Sequence, residues 1–178
     1  GWTDVKQPQR PKQAVLRDHA RRYRLAVLVE TGTYYGEMVD AMTYAFRRIY
    51  SIELSDDLFQ RAQDRFREQA HVKLLNGDSA QVLPSVLNRL TEPALFWLDG
   101  HYSGGETARG VDDTPILSEL VQILAAEETG HVIVIDDARC FGTDPAYPSL
   151  EALKEFVLAR RPRCRYEVIG DSIRIAPR

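Results

Sequence analysis

Acids close most of the apolar runs in this chain, and their spacing invites a chemical reading. In VETGTYYGEMV, Val29 to Val39, Glu30 leads a turn built around Gly32 and Gly36. Glu53 ends the next run, IYSIEL, and Asp78-Ser79 follow the one after it in NGDSAQVL. FWLDGHYSGG ends its apolar part at Asp99, and HVIVIDD ends at Asp136-Asp137. A carboxylate just past a glycine turn can accept two hydrogen bonds from a diol, the geometry of a ribose site. Carboxylates crowded at neighbouring strand ends repel and raise one another's pKa, and a hard divalent cation relieves that. Asp99, Asp136 and Asp137 form the candidate metal set, with magnesium ahead of calcium and manganese. The unperturbed pKa of a histidine lies near neutrality, which makes His101 the candidate general base. Gly100, Gly104 and Gly105 would give a flap over the site, with Tyr102 packing on an acceptor.

These residues need elements to hold them. Near-continuous apolar runs over Arg24 to Glu30, Arg48 to Leu54, His71 to Asn76, Ala94 to Asp99 and His131 to Asp137 read as buried parallel strands. Amphipathic segments separate them. SDDLFQRAQDRFREQA has Ser55 as N-cap and places Leu58, Ala62, Phe66 and Ala70 on one stripe. DSAQVLPSVLNRL has Asp78 as N-cap, with Pro84 bending or ending its first part. TPILSELVQILAAEE has Thr114 as cap and Pro115 at the first helical position, and Tyr147 to Arg160 supplies the last helix. RYEVIGDSIRIAP reads as an antiparallel hairpin around Gly170-Asp171. The expected fold is α/β, a doubly wound Rossmann-like sheet, mostly parallel, with an antiparallel C-terminal hairpin strand. Ligands in such sheets lie beyond the carboxyl ends of the strands, where every acid named above falls.

The chain has 178 residues, enough for one domain with a substantial core. Residues 1–23 read as an arm and a helix (Gln13 to Tyr23), and 24–178 as a single domain. A formal net charge of −3 gives no general attraction to nucleic acid or an anionic membrane, and the Arg-rich C-terminus reads as solvated surface. Cys140 and Cys164 have no metal-like spacing and read as reduced, which suits the cytoplasm. No run approaches membrane-spanning length.

Taken in order, VETGTYYGEMV, IYSIELS, GDSAQVLP and FWLDGHYSGG resemble class I S-adenosylmethionine-dependent methyltransferases, over roughly residues 24 to 176. The strand-end acids at Asp99 and Asp136-Asp137 resemble, more narrowly, metal-dependent O-methyltransferases of the macrocin and catechol types. The resemblance implies S-adenosylmethionine as cofactor, bound by Glu30, Thr31, Gly32, Thr33, Tyr35, Gly36, Glu53, Leu54, Gly77, Asp78, Ser79 and Asp99. It implies Mg2+ on Asp99, Asp136 and Asp137, with Asp99, His101 and Asp136 in catalysis. The expected acceptor is a small molecule or sugar, with no nucleic acid or membrane as partner. Oligomeric state is not legible, and a homodimer is carried as a candidate. The sequence departs from the family pattern at Tyr34, where a middle glycine would stand, and at His101, where a second acid is usual. Two other readings stay open: a nicotinamide-dependent oxidoreductase, and a non-catalytic binding protein on a methyltransferase fold.

Overall fold

The computed structural model describes residues 11–99, 115–128 and 130–178 of the protein. Among them are the strands β1 (Val27–Thr31), β2 (Arg48–Glu53), β3 (Val72–Asn76), β4 (Leu95–Leu98), β5 (Val132–Ile135), β6 (Arg165–Ile169) and β7 (Ser172–Ala176). They form one sheet in the order β3-β2-β1-β4-β5-β7-β6. β1 to β5 pair in parallel, and β7 runs antiparallel between β5 and β6. The fold is therefore the mostly parallel Rossmann-like sheet that the alternating apolar runs predict.

Helices α1 (Lys12–Tyr23), α2 (Glu37–Met42) and α3 (Asp56–Phe66) cover one face, and α4 (Ser79–Arg89), α5 (Pro115–Ala125) and α6 (Leu150–Arg160) cover the other. The pleat sorts side chains between two cores. In β1, Val27 and Val29 join a core with Leu83, Leu120 and Leu153, whereas Leu28 joins Leu16, Met42 and Phe66 on the opposite side. Each such aliphatic side chain, fully buried, contributes about 1.5–3 kcal/mol relative to exposure. This two-sided burial is why β1, β4 and β5 read as unbroken apolar runs. β1 and β4 are neighbours although two strands separate them in sequence, so the strand order reverses there and opens a crevice at their carboxyl ends.

The helix starts follow their caps. Ser55 Oγ accepts from Leu58 N–H at 3.3 Å, and Asp78 Oδ1 accepts from Ala80 N–H at 2.8 Å. Pro84 does not end α4, which runs on to Arg89; the Ala80 carbonyl it deprives of a partner accepts Gln122 Nε2–H from α5 at 2.7 Å. Two expected boundaries move. α3 stops at Phe66, since the chain must turn there to enter β3, and Ala70 is exposed rather than part of the buried stripe. α6 starts at Leu150 and not at Tyr147: Pro148 disfavours a helical Tyr147, and Ser149 Oγ caps Ala152 N–H at 3.1 Å. Pro115 opens α5 as expected, while the Thr114 cap, the first ten residues, His101, Tyr102 and the glycine-rich loop lie outside the described residues. Cys140 and Cys164 are free thiols. Among the described residues no helix is long and apolar enough to cross a membrane.

Candidate functional site

The turn after β1 is held from three sides. The N–H groups of Gly32 and Thr33 both donate to the Ile52 carbonyl, at 2.8 and 3.2 Å, so the turn leans on β2. Gly32 has φ +86°, and a Cβ there would lie 3.1 Å from the Tyr34 ring and 3.4 Å from Asp99 Oδ2. Tyr34 adopts a left-handed φ of 52° without being glycine. Its N–H donates to Glu53 Oε1 at 2.8 Å and its hydroxyl donates to Asp99 Oδ2 at 2.5 Å. The middle of the turn thus carries a side chain that glycine could not supply.

Glu53 is clamped. Besides Tyr34, the Ser55 N–H donates to its other oxygen at 2.9 Å. Each oxygen keeps a second lone pair, so an oriented carboxylate remains able to accept from a ligand. Glu30 is different: only 1% exposed, it accepts from Ser51 Oγ at 2.6 Å, and Ser51 pairs with Thr33 Oγ1. Burial, with the nearby Asp99 and Glu53 charges, pushes its carboxyl up to about 8, so it is protonated at neutral pH.

A cavity of about 320 Å³ opens over the ends of β1 to β4. It is lined by Thr31, Gly32, Tyr34, Glu53, Leu54, Gly77, Asp78, Ser79 and Asp99, with Ile52, Leu58 and Ile116 giving it apolar walls. Glu119 of α5 also faces it. A second cavity of about 480 Å³ is lined by Glu30, Thr33, Tyr35, Asp136 and Asp137 together with Lys12 and Trp97. Thr31, Gly32, Tyr34 and Asp99 line both, so the two spaces meet at the Tyr34–Asp99 hydrogen bond. Gly36 lines neither. A Cβ at Gly36 would meet the Phe66 ring at 2.6 Å, so this glycine serves the packing of α2 on α3.

The acids beyond β5 are already paired. Lys12 Nζ donates to Asp136 Oδ2 at 2.5 Å, and burial pushes the Asp136 carboxyl up against the opposing pull of that ammonium. Arg139 pairs with both Asp137 and Asp171. Among the described residues the metal-capable group is Asp136, Asp137 and Asp171, whose ligand oxygens lie within 4.8 Å of one another; Asp99 is outside it. Asp171 arrives because the Ala138 N–H donates to its carbonyl at 3.0 Å, docking the β6–β7 turn on the end of β5. Sequence reasoning missed Lys12, Tyr34, Glu119 and Asp171. Glu119 did leave a signal, as an acid on the apolar stripe of Ile116, Leu120 and Ile123.

No protein-family model matches the chain, and no curated protein matches it in sequence. Solved structures do share its fold. The O-methyltransferase TomG from Streptomyces achromogenes, involved in tomaymycin synthesis and solved with S-adenosylmethionine, is 21% identical with a TM-score of 0.65, over 96% of this chain and 81% of that one. An O-methyltransferase from Bacillus cereus, solved with S-adenosylhomocysteine, is 14% identical with a TM-score of 0.61, over 97% and 83%. The N-methyltransferase NodS from Bradyrhizobium japonicum WM9 is 13% identical with a TM-score of 0.57, over 97% and 100%. One fold in these neighbours serves transfer to oxygen and to nitrogen, so the acceptor must be argued from the site.

Proposed function

We propose that this chain is an S-adenosylmethionine-dependent methyltransferase, a single domain over residues 24–178 that methylates a hydroxyl oxygen of a small molecule or sugar. The observation that carries this reading is Glu53. It is a carboxylate oriented by two backbone N–H groups at the end of β2, facing a cavity at the switch in strand order. Glu53 takes the ribose hydroxyls, the Gly77–Ser79 segment flanks the base, and Glu30, Gly32 and Asp99 border the methionine part. The acceptor occupies the second cavity and meets the methyl group near Asp99. When bound, S-adenosylmethionine would supply a methyl group on a sulfonium, to be taken by the acceptor oxygen as the sulfur–carbon electrons return to sulfur. The hydroxyl proton passes to a base, for which Asp99 and His101 are the proposed residues, and Asp136 orients the acceptor.

The acids beyond β5 fit a hard divalent cation. Asp136 and Asp137 are buried, their donors are oxygens only, and Asp171 adds a third carboxylate within reach of both. Asp136 and Asp137, joined by Asp171 in place of the Asp99 expected from sequence, are proposed to hold Mg2+, with the half-exposed Lys12 ammonium giving up its place on Asp136. When bound, such an ion supplies Lewis acidity that eases deprotonation of the acceptor hydroxyl. A second reading, transfer without a metal, is favoured by the same Lys12–Asp136 contact, because an internal cation already neutralises the acid.

Calorimetry with S-adenosylhomocysteine tests the cofactor reading. Wild type binds it, and Glu53→Ala loses roughly 1.5–3 kcal/mol, about tenfold to hundredfold in affinity. Absence of binding by wild type would sink the proposal. Titration with Mn2+ watched by electron paramagnetic resonance decides between the two metal readings: retention by wild type and loss in Asp136→Asn supports the first.

A further inference from the structure

Glu119 is the acid in the first cavity that the cofactor reading leaves without a task. It is 3% exposed, on the face of α5 that lines the cavity opposite the β3–α4 turn. Ser79 Oγ donates to its Oε1, whereas Oε2 is buried and has no hydrogen-bond partner among the described residues. Burial, reinforced by Asp99 and Asp78, pushes this carboxyl up to about 8. Buried oxygens of this kind are rare unless a ligand or water completes them. Gln122 Oε1, one turn further along α5, is also unpartnered, but its side chain has a structural duty on the Ala80 carbonyl. Among the described residues Glu119 has no partner beyond Ser79, and it lines the cavity. Asp78, the other acid at this end, spends Oδ1 on the α4 cap.

We propose that Glu119 is the residue that selects the purine base of the cofactor, with Oε2 accepting a hydrogen bond from the exocyclic 6-amino group of adenine. The inference rests on the cofactor reading above and deepens it. A 6-oxo purine presents an acceptor at the same position and leaves Oε2 of the ionised carboxylate facing another oxygen, so the site discriminates by an unmade bond as well as a made one once the Glu119 proton is gone, above about pH 8. Ser79 acts as a positioning residue, holding Oε1 so that Oε2 turns to the base.

The test compares the affinity of S-adenosylhomocysteine with that of S-inosylhomocysteine, the 6-oxo analogue, by calorimetry above about pH 8, where Glu119 is ionised. Wild type is expected to prefer the adenosyl compound by about tenfold or more, the value of one hydrogen bond to a buried acid. Glu119→Met removes the acceptor and should bring the ratio to within about twofold. Glu119→Gln should also lower the preference, because its amide can turn its oxygen to a 6-amino group or its N–H to a 6-oxo group, with the Ser79 hydroxyl accepting or donating in turn. The ratio cancels any general damage to the cavity, so a merely structural Glu119 would not move it. Equal binding of the two compounds by wild type overturns the proposal, as does a full preference surviving in Glu119→Met. Binding of neither compound by wild type overturns the cofactor reading itself, and this inference with it.

Discussion

The Tyr34 hydroxyl donates to Asp99 Oδ2 at 2.5 Å, tying the turn after β1 to the end of β4 across the boundary between the two cavities. The same residue fixes Glu53 through its backbone, so one left-handed tyrosine orients acids from two strands. Tyr34→Phe keeps the backbone bond and removes only the hydroxyl. Because Tyr34 is exposed, global stability should change by less than about 1 kcal/mol. Amide exchange in residues 31–36 should speed up by about tenfold, the local equivalent of one charge-assisted hydrogen bond. Unchanged exchange would mean that the Ile52 and Glu53 contacts hold the turn alone.

Stability should fall as pH rises above neutrality. Glu30 and Glu119 keep their protons in the folded protein up to about 8, whereas the unfolded chain releases them near 4.5. Between those values the folded state binds more protons, so raising the pH pulls the equilibrium toward unfolding until pH passes 8. His19 and His131, whose burial lowers their pKa, act in the opposite direction and only below about 6.5. The urea midpoint should therefore drop from pH 7 to 8 and level off beyond. In the Glu30→Gln, Glu119→Gln double variant that drop should vanish, and its persistence would refute the assignment to these two acids.

Gly36→Ala combines two costs that can be separated. The residue sits at φ +86°, which costs a non-glycine roughly 1–2 kcal/mol, and its new methyl would press into the Phe66 ring. Overpacking adds about 1–3 kcal/mol. Urea unfolding should show a loss of about 2–5 kcal/mol in total. In a Phe66→Leu background the loss should shrink to the conformational part. A loss unaffected by Phe66 would show that the steric contact is relieved in another way.

The fold was legible because β1, β4 and β5 are buried on both faces and α3, α4 and α6 carry side-chain caps, both of which write themselves into short stretches of sequence. Glu53, Asp78 and Asp99 were legible for a related reason: each closes an apolar run, and in a parallel sheet those ends share one edge. Lys12, Asp171 and Glu119 reach the site through tertiary placement. Lys12 comes from a helix before the first strand, Asp171 from a hairpin that docks on β5, and Glu119 from the middle of a helix. Periodicity marks their elements but not the neighbours those elements find. Gly36 is ambiguous for a different reason, since a glycine before a helix signals close approach without saying whether a ligand or Phe66 approaches.

Pro84 and Gln122 offer a double-mutant cycle with a sign that follows from the backbone. Proline at position 84 has no N–H for the Ala80 carbonyl, and Gln122 Nε2 donates to that oxygen instead. Gln122→Leu alone strands the carbonyl and should destabilise by about 1–3 kcal/mol, the cost of an unmet backbone acceptor, less whatever is regained by removing the unpartnered Gln122 Oε1. Pro84→Ala alone should stabilise, since it restores a helical N–H and removes the ring. In Pro84→Ala the Ala80 carbonyl regains its helical donor, so Gln122→Leu should then be nearly neutral. The two changes together must be more stable than the sum of the single effects predicts, by about 1 kcal/mol or more in denaturant titrations. Strict additivity would mean that the Ala80 carbonyl finds water when Gln122 is gone, and that α4 tolerates its proline without help from α5.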